Sequence, residues 1–166
     1  AMRSLGLGVE ILSGDREIAV AETARALKVK KWSSQCLPGD KVKRLEELKT
    51  AGFRVLMVGD GLNDAPALAG GFASISPSSA PDISQTAADL VFRGDSLSPV
   101  VHAVRIARFA DRLVKQNFAL GIGYNMVAVP LAIAGFATPL VAAIAMSSSS
   151  ILVTLNALRL RLIGRT

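Results

Sequence analysis

Between Lys115 and Arg159 the chain carries no Asp, Glu, Lys or Arg, and no other stretch restricts its folding as severely. A membrane-spanning helix needs about 20 apolar residues, so this run is long enough for two helices with a tight connection. Gly135, Thr138 and Pro139 supply the turn, which predicts helices over 117–136 and 139–158 within a membrane segment 117–160. A buried hairpin of a soluble protein would show a polar stripe on each helix. Neither helix has one, and basic residues bracket both ends. Composition agrees, since 51% of the chain is hydrophobic and only 19% charged, too apolar a balance for an ordinary soluble domain.

The flanking charges set an orientation. Arg105, Arg108, Arg112 and Lys115 precede the first span, while Arg159, Arg161 and Arg165 follow the second. The positive-inside rule puts residues 1–116 and the basic tail 161–166 in the cytoplasm, with the chain multi-pass in the cell (inner) membrane. These flanks explain most of the net charge of +6. The charge therefore points to anionic lipid rather than nucleic acid, for which no aromatic-basic pattern exists.

Residues 1–95 alternate strand-like and helix-like segments, which argues an α/β sandwich. Strands are predicted over 5–12, 53–58, 72–75 and 90–92, and helices over 17–29, 39–51 and 65–69. In the second helix Val42, Leu45 and Leu48 recur at helical spacing, with Lys43, Arg44, Glu46, Glu47 and Lys49 on the wet side. Pro77, Ser78, Ser79, Ala80 and Pro81 read as a loop. An amphipathic juxtamembrane helix is predicted over 96–116, with Leu97, Val100, Val101 and Val104 against protein and His102 solvated.

The octapeptide Gly59-Asp60-Gly61-Leu62-Asn63-Asp64-Ala65-Pro66 follows the apolar run Val55, Leu56, Met57 and Val58, which has the character of a parallel strand covered on both faces. Asp60 then stands at the strand's carboxyl end, where open α/β sheets place their ligands. Gly59 and Gly61 allow a tight turn, Asn63 or Asp64 can cap the next helix, and Pro66 fits its first turn. Two carboxylates four residues apart, Asp60 and Asp64, make a hard oxygen site suited to Mg²⁺, which takes few protein carboxylates and keeps positions for water and phosphate oxygens. A mere pair of capping acids would leave Asp60, both glycines and Asn63 without a role.

Ser13-Gly14-Asp15 after a strand, and Lys41 after Pro38-Gly39-Asp40 at a helix start, suggest a phosphate grip. A hydroxyl with nearby N–H groups holds phosphoryl oxygens, and an ammonium offsets their charge. Each feature alone is also an ordinary turn or a solvated lysine. Within the first span, Tyr124 and Asn125 lie about 13 Å beyond Lys115, too deep for an interfacial belt. A polar Asn125 at that depth faces a pathway or other helices. In the second span Met146 and the run Ser147 to Ser150 lie near mid-membrane. Thioether sulfur suits Cu(I), whereas Mg²⁺, Ca²⁺ and much Zn²⁺ chemistry wants carboxylate or imidazole, which this span lacks. Small-residue helix packing explains some of the serines, and core filling explains Met126.

The octapeptide resembles the hinge motif of P-type ATPases, within the haloacid-dehalogenase-like phosphotransferase fold. The resemblance implies a Rossmann-type partial phosphorylation domain over 1–95, followed by an α-helical transmembrane hairpin. It carries phosphate or nucleotide contacts onto Ser13, Gly14, Asp15, Lys41, Gly59 and Gly61, and catalysis onto Lys41, Asp60, Asn63 and Asp64, with Mg²⁺ at Asp60 and Asp64. Arg16 stands where many members have asparagine. Tyr-Asn in one span and Met-x-x-Ser-Ser in the next resemble the copper-transporting branch, which implies Cu(I) ligands at Tyr124, Asn125, Met146, Ser149 and Ser150. Zinc and cadmium pumps resemble the chain elsewhere but carry an acidic residue in the final span. Residues 76–82 depart from the family's usual Gly-Ser-Gly-Thr-Asp and look like the copper pumps that serve cytochrome oxidase assembly.

What the resemblance implies as a whole is an ATP-driven Cu(I) export pump with an aspartyl-phosphate intermediate, fed by a copper chaperone. The family's Asp-Lys-Thr-Gly-Thr, nucleotide domain, actuator domain and Cys-Pro-Cys site have no counterpart here, so the chain reads as a C-terminal fragment, inactive alone. Cys36, the single cysteine, forms no internal disulfide and reads as an ordinary cytoplasmic thiol. The competing readings are a truncated, non-catalytic membrane protein with a phosphate-binding half domain, a zinc or cadmium pump, and a membrane-anchored phosphatase of the dehalogenase-like fold.

Overall fold

Strand and helix alternate through the first hundred residues because short apolar runs are punctuated by helix-starting prolines and capping turns. The computed structural model describes residues 2–94, 96–136 and 138–163. They fall into two units, residues 1–101 and 102–166.

In the first unit, β1 (Glu10–Leu12), α1 (Glu17–Ala26) and β2 (Lys31–Ser33) form a parallel crossover, with Ile11 paired to Trp32. Helix α2 (Pro38–Thr50) opens with Pro38 in its first turn, and the Leu37 N–H donates to the Asp40 carboxylate at 2.9 Å. A second parallel sheet runs β3 (Leu56–Val58), β4 (Ala73–Pro77) and β5 (Leu90–Phe92), with α3 (Ala65–Gly70) and α4 (Asp82–Ala87) as the connections. Val20, Ala24, Leu45, Ala67, Leu68 and Ile75 are the buried apolar centre of this unit. Arg44 reaches from α2 to β1, donating to both Glu10 carboxylate oxygens at 2.8 and 3.1 Å. These hydrogen bonds, with one to Glu47, hold the guanidinium well above its ordinary pKa.

Several element boundaries differ from those the sequence predicts. Only Glu10–Leu12 of the predicted 5–12 strand is paired, because its partner β2 is itself three residues long; Arg3–Leu5 instead form a 3-10 turn. Strand β2 escapes a hydrophobicity pattern because only Trp32 faces inward between two exposed polar neighbours. Helix α1 stops at Ala26: Lys28 takes a left-handed conformation and the Val29 N–H returns to the Ala24 carbonyl at 2.7 Å. Helix α4, only six residues long after Pro81, was not predicted at all. Leu45 is buried as expected on α2, while Val42 and Leu48 are half-buried. A reciprocal clamp joins β4 to the approach to β5: the Ser74 N–H and hydroxyl both donate to Asp89, whose own N–H donates back to Ser74 Oγ.

Helix α5 (Ser98–Ile133) is followed by α6 (Pro139–Leu158) and α7 (Leu160–Ile163). The predicted juxtamembrane helix and first span are thus one continuous helix, since no glycine or proline interrupts the chain near Gln116. Leu97 lies outside it and is exposed, Val100 is buried, Val101 and Val104 are half-buried, and His102 is half-buried rather than fully solvated. The helix ends three residues before the predicted 136. Gly135 then adopts φ 84° and the Phe136 N–H bonds back to the Leu131 carbonyl at 3.1 Å. Thr138 caps α6, its hydroxyl accepting from the Val141 N–H at 3.3 Å. Asn156 on α6 donates to the Asn117 side chain on α5 at 2.9 Å and accepts from Arg159 at 3.1 Å. Among the described residues, α6 is the helix long and apolar enough to cross a membrane, with mean hydropathy 1.7 and none of it buried within the chain. Arg165 lies outside the described residues.

Candidate phosphoryl-transfer loop

Lys41 sits one helical turn before Leu45 on the inward face of α2, and both are buried. Its ammonium donates to Asp64 Oδ1 at 2.5 Å, each side chain being only 10% exposed. The other oxygen, Asp64 Oδ2, accepts from the Gly61 N–H at 3.3 Å. A buried carboxylate is tolerable only when paired and hydrogen-bonded, and Asp64 is both. Its carboxylate therefore does not cap α3, contrary to the capping role open to it in the sequence. Asn63 makes no such cap either; it is exposed within the 3-10 turn Leu62–Asp64.

Gly59 is buried at the tip of β3, where a Cβ would lie 2.7 Å from Asp64 Cβ and 3.0 Å from Asp64 Cγ. No other residue fits without moving Asp64. The Gly59 N–H prolongs the β3–β4 ladder to the Ile75 carbonyl at 3.3 Å. Asp60, the next residue, is exposed at the carboxyl end of the strand. The Gly61 carbonyl accepts the Asp64 N–H at 2.9 Å and the Ser84 hydroxyl at 2.7 Å.

Ser13, Gly14 and Asp15 form a separate turn after β1. The Ser13 hydroxyl donates to Asp15 Oδ2 at 2.9 Å and accepts the Asp15 N–H at 3.2 Å. The Cys36 and Gln35 N–H groups donate to the Ser13 and Asp15 carbonyls, tying this turn to the approach to α2. Among the described residues no hydrogen bond or ion pair links Ser13, Gly14 or Asp15 to Lys41, Asp60 or Asp64. Nor do the described residues hold a cluster of three or more His, Cys, Asp or Glu side chains. With both Asp64 oxygens engaged, Asp60 is the exposed carboxylate left for a hard cation. That donor fits Mg²⁺, which needs one or two protein carboxylates with the remaining positions left to water and phosphate.

In the helices, Tyr124 is half-buried on α5 and Asn125 is exposed, its amide donating to the Gly121 carbonyl at 3.0 Å. Val114, Asn117, Phe118, Gly121, Ile122 and Asn125 line a shallow groove of about 460 Å³ on α5. Met146, 70% exposed, and Ser150, exposed, lie on α6 with the half-buried Ser149. No hydrogen bond among the described residues joins Tyr124 or Asn125 to Met146, Ser149 or Ser150; the inter-helix bond is instead Asn117–Asn156. Ser84, Asn117 and Asn156 carry no sequence signal that separates them from surface polar residues, since their partners lie 23 and 39 positions away.

Residues 1–71 match the haloacid dehalogenase-like hydrolase family. Over 97% of its length the chain is 56% identical to the nitrogen fixation protein FixI of Bradyrhizobium diazoefficiens, covering 22% of that protein. It is 38% identical, over 99% of its length, to a probable copper-exporting P-type ATPase V of Mycobacterium tuberculosis, covering 21% of it. The crystal structure of a zinc-transporting PIB-type ATPase superimposes on 96% of the chain and 26% of that protein, with 31% identity and a TM-score of 0.87. This chain belongs to the heavy-metal P-type ATPases. It spans about a fifth of the length of the curated relatives it matches. Within this P-type ATPase segment the first unit has the haloacid-dehalogenase-like α/β fold with parallel sheets, and the apolar α6 follows it.

Proposed function

We propose that this chain is the part of an ATP-driven Cu(I) export pump that holds the Mg²⁺ and phosphate loop and the last metal-contacting helices. The observation that carries the reading is the buried Lys41–Asp64 pair, which locks the octapeptide turn while leaving Asp60 exposed at the strand tip. In the whole protein an aspartate outside this chain would accept phosphate from ATP. Mg²⁺, when bound, would offset the charge of the transferring phosphoryl group. Asp60 supplies the carboxylate for that ion, with Asp64 as a supporting rather than a freely offered donor. Lys41 holds Asp64 in place and brings positive charge to the loop, and Gly59 lets Asp64 close against the strand end. Ser13, Gly14 and Asp15 contribute a second phosphate-facing turn, with Asn63 lining the loop.

Cu(I) as cargo is supported by the donor chemistry of Met146, with Tyr124, Asn125, Ser149 and Ser150, and by the copper-exporting relative. The zinc-transporting structural relative makes Zn²⁺ the competing cargo. Residues 116–158 hold no Asp, Glu or His to serve it. The charge-free second half of α5 is the first span and α6 the second, with lipid against their exposed apolar faces and the arginine-rich flanks on the cytoplasmic side of the cell membrane. A copper chaperone as donor, and copper supply to cytochrome oxidase assembly, belong to the same reading. The test is phosphoenzyme formation from ATP by the full-length protein: Cu(I) stimulates the wild type, and Met146→Ala abolishes that stimulation while leaving the first unit folded. Stimulation by Zn²⁺ alone, or an unchanged copper response in Met146→Ala, would overturn the copper assignment.

A further inference from the structure

Ser84, a polar residue in the first turn of α4, is fully buried. In the first turn of a helix a serine has no carbonyl of its own helix one turn back to bond, so its hydroxyl must find a partner elsewhere or face solvent. Ser84 finds that partner 23 residues away, donating to the Gly61 carbonyl at 2.7 Å. Gly61 lies between Asp60 and Asp64, and both peptide groups that meet at it are hydrogen-bonded. Its N–H, in the peptide that also contains the Asp60 carbonyl, donates to Asp64 Oδ2 at 3.3 Å; its own carbonyl accepts the Asp64 N–H at 2.9 Å and the Ser84 hydroxyl. Every one of these bonds except the last is internal to the octapeptide. The Ser84 bond ties the turn to α4. That helix is in turn fastened to the loop after β4, where the Gln85 amide donates to the Ala80 carbonyl at 2.7 Å and to the Ser78 carbonyl at 3.3 Å.

We infer that Ser84 is a positioning residue for the Mg²⁺ loop: by holding the Gly61 peptide it fixes the direction in which Asp60 presents its carboxylate. Gly61 is extended, with φ −106° and ψ 154°, and carries no side chain to anchor it. Without the Ser84 hydroxyl the turn keeps its internal bonds and the Lys41–Asp64 pair, but the Gly61 peptide loses its tie to α4 and gains freedom to rotate beside Asp60. The ion site would then have to be ordered at the moment of binding, at a cost in affinity. The inference rests on Asp60 serving Mg²⁺.

The experiment uses the full-length protein and Mg²⁺ alone, without nucleotide, and reads the rise in melting temperature as Mg²⁺ is added. Ser84→Ala is expected to raise the half-saturating Mg²⁺ concentration about three- to tenfold, the worth of one buried hydrogen bond. It is also expected to give a phosphoenzyme deficit that added Mg²⁺ overcomes. Asp60→Asn, run alongside, should abolish the Mg²⁺-dependent rise. If Ser84→Ala lowers the melting temperature but leaves the Mg²⁺ dependence where it was, Ser84 is merely a packing residue and the inference is overturned. If Asp60→Asn retains the full Mg²⁺ response, the Mg²⁺ reading of Asp60 fails, and the inference about Ser84 fails with it.

Discussion

The Lys41–Asp64 pair and the Met146 to Ser150 stretch both set polar groups among apolar ones, and they are finished in opposite ways. Asp64 is buried and both of its oxygens have partners supplied by this chain. Met146 is 70% exposed, and Ile144, Ile151 and Leu152 around it are exposed as well. The first region closes its polar chemistry internally, so its geometry can be read here. The second presents an apolar surface that water would not tolerate, so its surroundings must come from lipid or from other helices. Where partners lie within the chain, structure defines a site; where they do not, only donor chemistry speaks.

The sharpest way to break that comparison is Lys41→Met. Removing the ammonium strands a buried carboxylate, so the first unit should lose about 3–5 kcal/mol. Hydrogen exchange should show faster exchange over residues 38–70, with α6 unchanged. Replacing Asp64 by Leu in the same protein should recover much of the loss, since a buried pair exchanged for apolar groups is close to neutral. A Lys41→Met protein of unchanged stability would mean that the pair is not closed in solution. A much smaller effect is expected in the helices. Asn156→Ala removes the bond to Asn117, and inter-helix hydrogen bonds in membranes contribute about 0.6 kcal/mol on average. Thermal unfolding in detergent should shift only slightly, and a loss as large as that of Lys41→Met would show that the hairpin, too, depends on an internal polar lock.

The sequence was most legible where local chemistry decides the outcome. Helix α6 begins at Pro139 and ends at Leu158 as predicted, and β5 covers Leu90–Phe92 as predicted, because a capping threonine or a compact apolar run marks each. It was least legible where a distant partner decides. Strand β2 exists because β1 pairs with it, and α4 is a single short helix without an apolar stripe. The division expected between residues 116 and 117 follows the loss of charge, but a change of solvent need not break a helix. In the candidate site, Lys41, Gly61 and Asp64 were each visible as residues. Their mutual bonds were not, and those bonds changed the reading of Asp64 from an offered ligand to a partner of Lys41. Ser84 left no trace in the sequence, because its importance lies wholly in the carbonyl that it reaches.

The most direct test of the account is phosphorylation of the full-length protein by ATP, comparing wild type with Asp60→Asn. The exposed carboxylate at the tip of β3 is predicted to be indispensable, so Asp60→Asn should form no phosphoenzyme at any Mg²⁺ concentration while its first unit remains folded by hydrogen exchange. Phosphoenzyme at the wild-type level would contradict the account and remove Asp60 from the reaction.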